Sequence, residues 1–384
     1  MIPERIQAAL RPAGHLAKAV TVAGCAFSLG ALTGCDDSTT RPEDRIVEGV
    51  NLTQLFAQPG PAEIAAIEAD WNGRDVSAQD VQVVLTEQLD LGGVAATLQI
   101  VSHSVAGVRH YGAILVPNGA AAGSLPILVY THGGDRGVDI DDLLFFLPIF
   151  LGPDVGKSIF VAPSFRAEPL RYQGVTYTSE GEPSPWDYDV DDALALLNVV
   201  AATTAEADAD RIGILGFSRG ACVALLMAER DPRIDLVVEF FGPTDFFGPF
   251  VQEVVEEALL GAPRDLPGLD FLNQEYIQPL KNGETTIADV RPEILRRSPV
   301  YFAASLTQLQ VHHGTDDDTV PVGEAERLIE VMSDLGRGEP EFEAYLYEGG
   351  THNPLSLDGS IERTREFLGR LLPQQIAVPP MLLR

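Results

Sequence analysis

Ile212-Gly213-Ile214-Leu215-Gly216-Phe217-Ser218-Arg219-Gly220-Ala221-Cys222-Val223-Ala224-Leu225-Leu226 decides how the rest of the chain is read. The apolar run Ile212–Leu215 has the character of a strand buried on both faces, and Ala221–Glu229 that of a helix. Gly216-Phe217-Ser218-Arg219-Gly220 joins them. Small residues on either side of the serine let strand and helix approach closely around a strained turn, which lifts the hydroxyl above the sheet. Ser218 is therefore the candidate nucleophile. The bland alternative is a glycine-rich turn with a capping serine.

Working outward, short continuous apolar runs alternate with helical patterns, as in a parallel sheet covered on both faces. Strands are expected at Pro126–Thr131, Ser158–Ala162, Arg211–Leu215, Leu236–Phe241, Leu306–Val311 and Glu341–Tyr347. Helices are expected at Asp189–Ala202, Arg219–Glu229, Gly323–Leu335 and Ser360–Leu371. Upstream, Val81–Glu87, Ala95–His103 and Arg109–Val116 read as an antiparallel meander, with Gly92-Gly93 and Ala106-Gly107 as turns. A helix is expected within Gln54–Asn72, with Pro61 near its start. Between 248 and 298 the rhythm breaks into charge, Pro, Gly and helical fragments, so this segment reads as an insertion and a possible cap.

A serine hydroxyl needs an imidazole base, and the base needs a carboxylate to fix its tautomer. His352 follows the last expected strand in Glu348-Gly349-Gly350-Thr351-His352-Asn353, a loop suited to presenting a ring at the sheet edge. The acid belongs after the preceding strand, where Asp316, Asp317 and Asp318 stand in a row and leave the choice open. An oxyanion needs two N–H donors. Arg219 offers the first from its backbone, and Thr131-His132-Gly133-Gly134-Asp135 offers the second from Gly134 or Asp135.

The stretch His313-Gly314-Thr315-Asp316-Asp317-Asp318-Thr319-Val320-Pro321 resembles the His-Gly-x-x-Asp-x-x-Val-Pro segment of prolyl oligopeptidase-like and dienelactone hydrolase-like members of the α/β-hydrolase superfamily. Ala162-Pro163-Ser164-Phe165-Arg166 is similar to the Pro-Asn-Tyr-Arg-Gly loop of those families. The resemblance runs from about Val108 to Leu371. It implies an α/β-hydrolase fold: a mostly parallel central sheet flanked by helices, with the N-terminal meander and a helical insertion after strand 6. By register it selects Asp317 as the acid, and it makes His132 a structural histidine. It departs at Ala221-Cys222, where peptidase members usually carry another glycine. Fewer than about 100 residues lie between the tether and strand Pro126–Thr131, which leaves no room for a β-propeller.

At the N-terminus, Arg5, Arg11 and Lys18 precede the apolar stretch Ala19–Leu32, shorter than the roughly 20 residues of a spanning helix. It ends in Leu32-Thr33-Gly34-Cys35, followed by Asp36-Asp37, which resembles a bacterial lipobox. Residues 1–34 are then a lipoprotein signal peptide, Cys35 the lipidated residue and 35–46 a tether to a domain spanning 47–376, with 377–384 as a tail. An ordinary cleaved signal is the alternative. Cys25 leaves with the signal, so Cys222 is the one cysteine expected in the folded domain, with no intramolecular disulfide.

The formal net charge of −30 repels phosphate backbones and anionic lipid surfaces, which excludes a nucleic-acid partner and leaves the lipid as the only membrane contact. No cofactor and no metal are expected. The resulting expectation is an exported serine hydrolase that cleaves carboxylic esters through an acyl-enzyme, with a small-molecule ester or short peptide as its substrate. A peptidase of the same triad is the first rival, favoured if Arg166, Arg171 or Glu180 binds a substrate terminus. A non-catalytic binding lipoprotein is the second. Phe240, Phe241, Phe246, Phe247, Trp186, Tyr172 and Tyr177 are read either as pocket lining or as core.

Overall fold

The computed structural model describes residues 44–372. The export segment with Cys25, the lipidation residue Cys35 and the tail 377–384 lie outside the described residues. Within them, backbone pairing starts where Ile46–Val47 meets Val50–Asn51.

Nine strands form one sheet: β1 Gln79–Asp90, β2 Ala95–Val105, β3 Val108–Pro117, β4 Leu125–Thr131, β5 Ile159–Pro163, β6 Ala207–Phe217, β7 Ile234–Phe240, β8 Gln308–Gly314 and β9 Phe342–Tyr347. Their spatial order is β9-β8-β7-β6-β4-β5-β3-β2-β1. β4 to β9 run parallel, and β1 to β3 form the antiparallel meander that joins through β3 to β5. The two-residue turn Ala106-Gly107 takes φ of 50° and 79°, the twist that suits a tight hairpin and that glycine supplies at low cost.

Eight main helices flank the sheet: α1 Pro61–Asn72, α2 Ile140–Leu151, α3 Tyr188–Thr203, α4 Arg219–Arg230, α5 Pro249–Leu259, α6 Ile287–Leu295, α7 Gly323–Asp334 and α8 Ser360–Leu368. Alternate strand residues feed two cores. Ile127, Val129, Ile212 and Ile214 face α3 and α4, whereas Leu128, Leu215, Leu236 and Val238 face α2 and α8. α4 is buried from Arg219 to Ala228, as befits the helix that leaves the central strand.

Two features differ from the sequence expectation. Helix α1 starts at Pro61 because proline has no N–H to give and fits the first helical position. Glu63 caps Gly60 N–H at 2.9 Å, and Leu52–Leu55 forms a separate turn. Helix α2 carried no helical signal: after Asp142 its sequence Leu143-Leu144-Phe145-Phe146-Leu147-Pro148-Ile149-Phe150-Leu151 is apolar on every face, so no 3.6-residue period stands out. Asp139 starts it by accepting from the N–H groups of Asp141 and Asp142. The helical insertion expected at 248–298 follows β7, the strand expected at Leu236–Phe241. α5 and α6 belong to it, and Phe250, Val254, Leu259, Leu269 and Ile294 pack it into the core on the α4 side.

The interior holds ionisable groups whose titration sets a pH optimum for stability. Burial pushes Glu239 on β7 up to about 8 and Glu324 up to about 7. It also pushes Asp192 to about 7, against the opposing hydrogen bond and charge of Arg166. Folded carboxyls therefore keep protons that the unfolded chain releases near pH 4, so stability falls as pH rises through that window. Burial also holds His103 and His132 down to about 4, and His110 and His312 to about 3. They cost stability as pH falls below about 6.5, where the unfolded chain takes up protons. From about pH 7.5 to 8.5 these histidines are neutral in both states, and the raised carboxyls lose their stabilisation. Thermal unfolding is expected to show Tm falling by a few degrees across that range. Glu239→Gln, which keeps an acceptor for the Gly242 N–H, is expected to flatten the slope; a Tm that rises toward pH 8.5 would contradict this reading.

Candidate active site

The carboxyl ends of the parallel strands β4, β6, β8 and β9 deliver the site. β6 ends at Phe217 and hands the chain to Ser218 and α4. Ser218 has φ 53° and ψ −122°, a left-handed region that costs a non-glycine residue about 1–3 kcal/mol and persists only where its surroundings over-determine it. The surroundings are visible. Ser218 N–H donates to Phe240 O at 2.8 Å, and Thr131 Oγ1 donates to Gly220 O at 2.7 Å. A Cβ on Gly216 would lie 2.6 Å from Gly220 O, and one on Gly220 would lie 2.2 Å from Thr131 O. The alanine at 221 fits because its Cβ faces Gly242, whose own Cβ would lie 2.7 Å away.

β9 hands the chain to His352, whose Nε2 lies 2.9 Å from Ser218 Oγ. Its Nδ1 lies 2.7 Å from Asp317 Oδ2. The ring also rests on Phe241, with centroids 4.2 Å apart. Phe241 is itself held at φ 45° by an N–H bond to His312 O.

The loop after β8 separates the three aspartates by exposure: Asp316 and Asp318 are exposed and Asp317 is buried. Asp317 Oδ1 accepts from the N–H groups of Thr319 and Val320, both at 3.0 Å. Burial opposes ionisation of Asp317, but the hydrogen bond and charge of His352 and these two N–H groups outweigh it and hold the carboxyl below its usual range. An ionised Asp317 fixes the proton of His352 on Nδ1 and leaves Nε2 to accept from Ser218. His313, four residues earlier, is fully buried and bonded to Val320 O at 2.8 Å, so it shapes the acid loop.

The 131–135 loop after β4 lies against the serine. A Cβ on Gly133 would meet Ser218 Cβ and Phe217 O, both at 3.1 Å, and Gly134 sits at φ 74°. Arg219, as the first residue of α4, has a backbone N–H without an intrahelical acceptor. His132 is buried, held neutral chiefly by burial, and stacked on Phe165 at 4.3 Å, which separates it from the serine's base.

Beside Ser218 a small, mostly apolar cleft is lined by Trp186, Pro243, Phe250, Val320 and the insertion residues Leu266 and Leu269. The aromatic residues left open by sequence divide accordingly. Trp186 lines the cleft, Phe241 supports His352, and Phe240, Phe246 and Phe247 are core. Tyr172 and Tyr177 belong to a small sheet of Val138–Asp139, Pro169–Tyr172 and Val175–Thr178. The three residues weighed as holders of a peptide terminus are engaged within the chain. Arg166 makes two bonds to Asp192, Glu180 pairs with Arg109, and Arg171 donates to Arg136 O. Sequence reasoning missed the carboxylates that grip the Arg219 side chain, Glu168 and Asp189; they lie 51 and 30 residues away, and no local pattern links them to it.

No protein-family model matches the sequence, and no curated protein matches it. Solved structures do. Acetyl xylan esterase 1 from Thermoanaerobacterium sp. is 16% identical with a TM-score of 0.58, over 84% of this chain and 99% of that one. An acetyl xylan esterase from Paenibacillus sp. is 19% identical with a TM-score of 0.53, over 83% and 98%. A glucuronoyl esterase from Solibacter usitatus is 14% identical with a TM-score of 0.50, over 81% and 92%. Together with the sheet order and the turn at Ser218, these likenesses show the α/β-hydrolase fold.

Proposed function

We propose that this chain is a serine hydrolase that cleaves small carboxylic esters through an acyl-enzyme. The observation that carries the reading is the continuous hydrogen-bonded line from Asp317 through His352 to Ser218. His352 Nε2 takes the proton as Ser218 Oγ attacks the ester carbonyl, and Asp317 steadies the imidazolium. Negative charge on the carbonyl oxygen is met by the N–H of Arg219 and that of Gly134 or Asp135. The imidazolium then protonates the departing alcohol. Water repeats the sequence on the acyl-enzyme and releases the acid and the free serine.

Ester rather than peptide cleavage is favoured by three observations. Arg166, Arg171 and Glu180 are committed to partners within the chain. The cleft at Ser218 is small and lined by the apolar Trp186, Phe250 and Leu269, which fits a short acyl group. The solved structures with the three TM-scores given above are all named as esterases. For p-nitrophenyl esters, kcat/KM is expected to be at least about 10-fold higher for acetate than for octanoate, since an acyl chain that outgrows a small cleft forfeits its burial. Peptide p-nitroanilides are expected to remain uncut. Efficient cleavage of the anilides would favour the peptidase reading, and a folded protein inert to every substrate would favour the binding lipoprotein.

We further propose that residues 1–34 export the chain and that lipid on Cys35 tethers it to a bacterial membrane, facing the periplasm or the outside. The order of basic, apolar and Leu32-Thr33-Gly34-Cys35 segments supports this. No helix among the described residues is long and apolar enough to cross a membrane. Cys35→Ala is expected to move the protein from the detergent-extracted membrane fraction to the soluble exported fraction; an unchanged distribution would contradict the anchor.

A further inference from the structure

The Arg219 side chain is buried beside the proposed oxyanion site, its guanidinium over the Phe165 ring at 5.1 Å and its N–H groups on fixed polar partners. Its Nη2 and Nε donate to Asp189 Oδ2 at 2.6 and 3.2 Å. Its Nη1 bonds Glu168 Oε1 and also Gly134 O, the latter at 3.2 Å. Each carboxylate holds a second piece of the site. Glu168 Oε2 accepts from Gly137 N–H at 3.1 Å, and Asp189 Oδ2 accepts from Trp186 N–H at 3.1 Å. Trp186 stands at φ 62°, where a bulky residue stays only under constraint.

We propose that the Arg219 guanidinium, clamped by Asp189 and Glu168, is a positioning residue that sets the oxyanion donors of the 131–135 loop and the Trp186 wall of the acyl cleft. The inference rests on the serine-hydrolase reading. Its physical basis is the planarity of the peptide. The 134–135 bond is trans, since the only cis bond among the described residues is Glu339–Pro340. Tying Gly134 O to Arg219 therefore fixes the plane of that peptide and points the Asp135 N–H the opposite way, from the other edge of the unit. The neighbouring plane is fixed in the same way by the 3.2 Å contact of His132 Nδ1 with Gly133 O. Two carboxylates already face the guanidinium charge, so its contribution is geometric. A lysine keeps the charge but cannot present the planar fork that reaches two carboxylates and a carbonyl together.

The test measures kcat and KM on p-nitrophenyl acetate and the affinity for a trifluoromethyl ketone that mimics the tetrahedral intermediate, in the full chain and its Arg219→Lys variant. A misplaced oxyanion donor is expected to lower kcat by about 10- to 100-fold while KM moves less than about 3-fold. Affinity for the ketone is expected to fall in step with kcat. Wild-type kinetics in Arg219→Lys, or a loss of kcat with ketone affinity intact, would overturn the proposal. Should that variant fail to fold, Glu168→Gln carries the same test with the same two readouts and the same criteria. A wild type that neither turns over nor binds the ketone would instead remove the serine-hydrolase reading beneath it.

Discussion

Between Phe217 and Arg219 the backbone passes through φ 53° at a residue that is not glycine, and the arrangement of the site follows from that turn. The conformation is unfavourable by itself, so its neighbours must leave no cheaper alternative. They do so by contact: β4 and α4 crowd the turn so closely that glycine is required at 216 and 220, and Ser218 N–H is tied to the end of β7. The reward for this strain is direction. The hydroxyl stands at the carboxyl edge of the sheet, on the side where the loops after β8 and β9 bring Asp317 and His352.

The chain around the turn shows how a strongly acidic protein builds a site without leaving charge uncompensated. Asp317 faces an imidazole and two backbone N–H groups, and Asp189 and Glu168 face the Arg219 guanidinium. Asp192 faces Arg166 in the same manner. Glu239 has no such cation, and its burial favours the neutral acid that accepts from the Gly242 N–H. The acidic excess therefore resides on the surface, while the interior pairs its carboxylates or protonates them.

The parts of the molecule that were legible in its sequence are those whose signal is local. The turn at Ser218 is announced by two glycines between an apolar run and a helix, and buried strands such as β4 and β6 declare themselves by composition. Asp317 needed the flanking His313 and Val320 to be picked from three aspartates, and exposure in the folded chain separates it from Asp316 and Asp318 in the same way. What stayed hidden is tertiary or lacks a period. Helix α2 is apolar on all faces, so amphipathicity could not reveal it. The strands Pro169–Tyr172 and Val175–Thr178 are too short for alternation to be read, although Gln173-Gly174, with φ of 47° and 76°, marks their hairpin. Asp189 and Glu168 meet Arg219 only where α3 and the 164–168 loop pack against the start of α4. Trp186 becomes a cleft wall only because the insertion closes on it, with Gly268 so near that a Cβ there would lie 2.5 Å from the indole.

The central claim is that Ser218, activated through His352 by Asp317, attacks an electrophilic centre. Labelling the purified protein with a fluorophosphonate probe tests it most directly, because the probe forms a bond only with an activated serine. The account predicts one covalent adduct, carried on Ser218, lost in Ser218→Ala and strongly slowed in His352→Ala and Asp317→Asn, with Asp316→Asn and Asp318→Asn labelled at the wild-type rate. Labelling that persists in Ser218→Ala, or a folded wild type that takes up no probe, would contradict it.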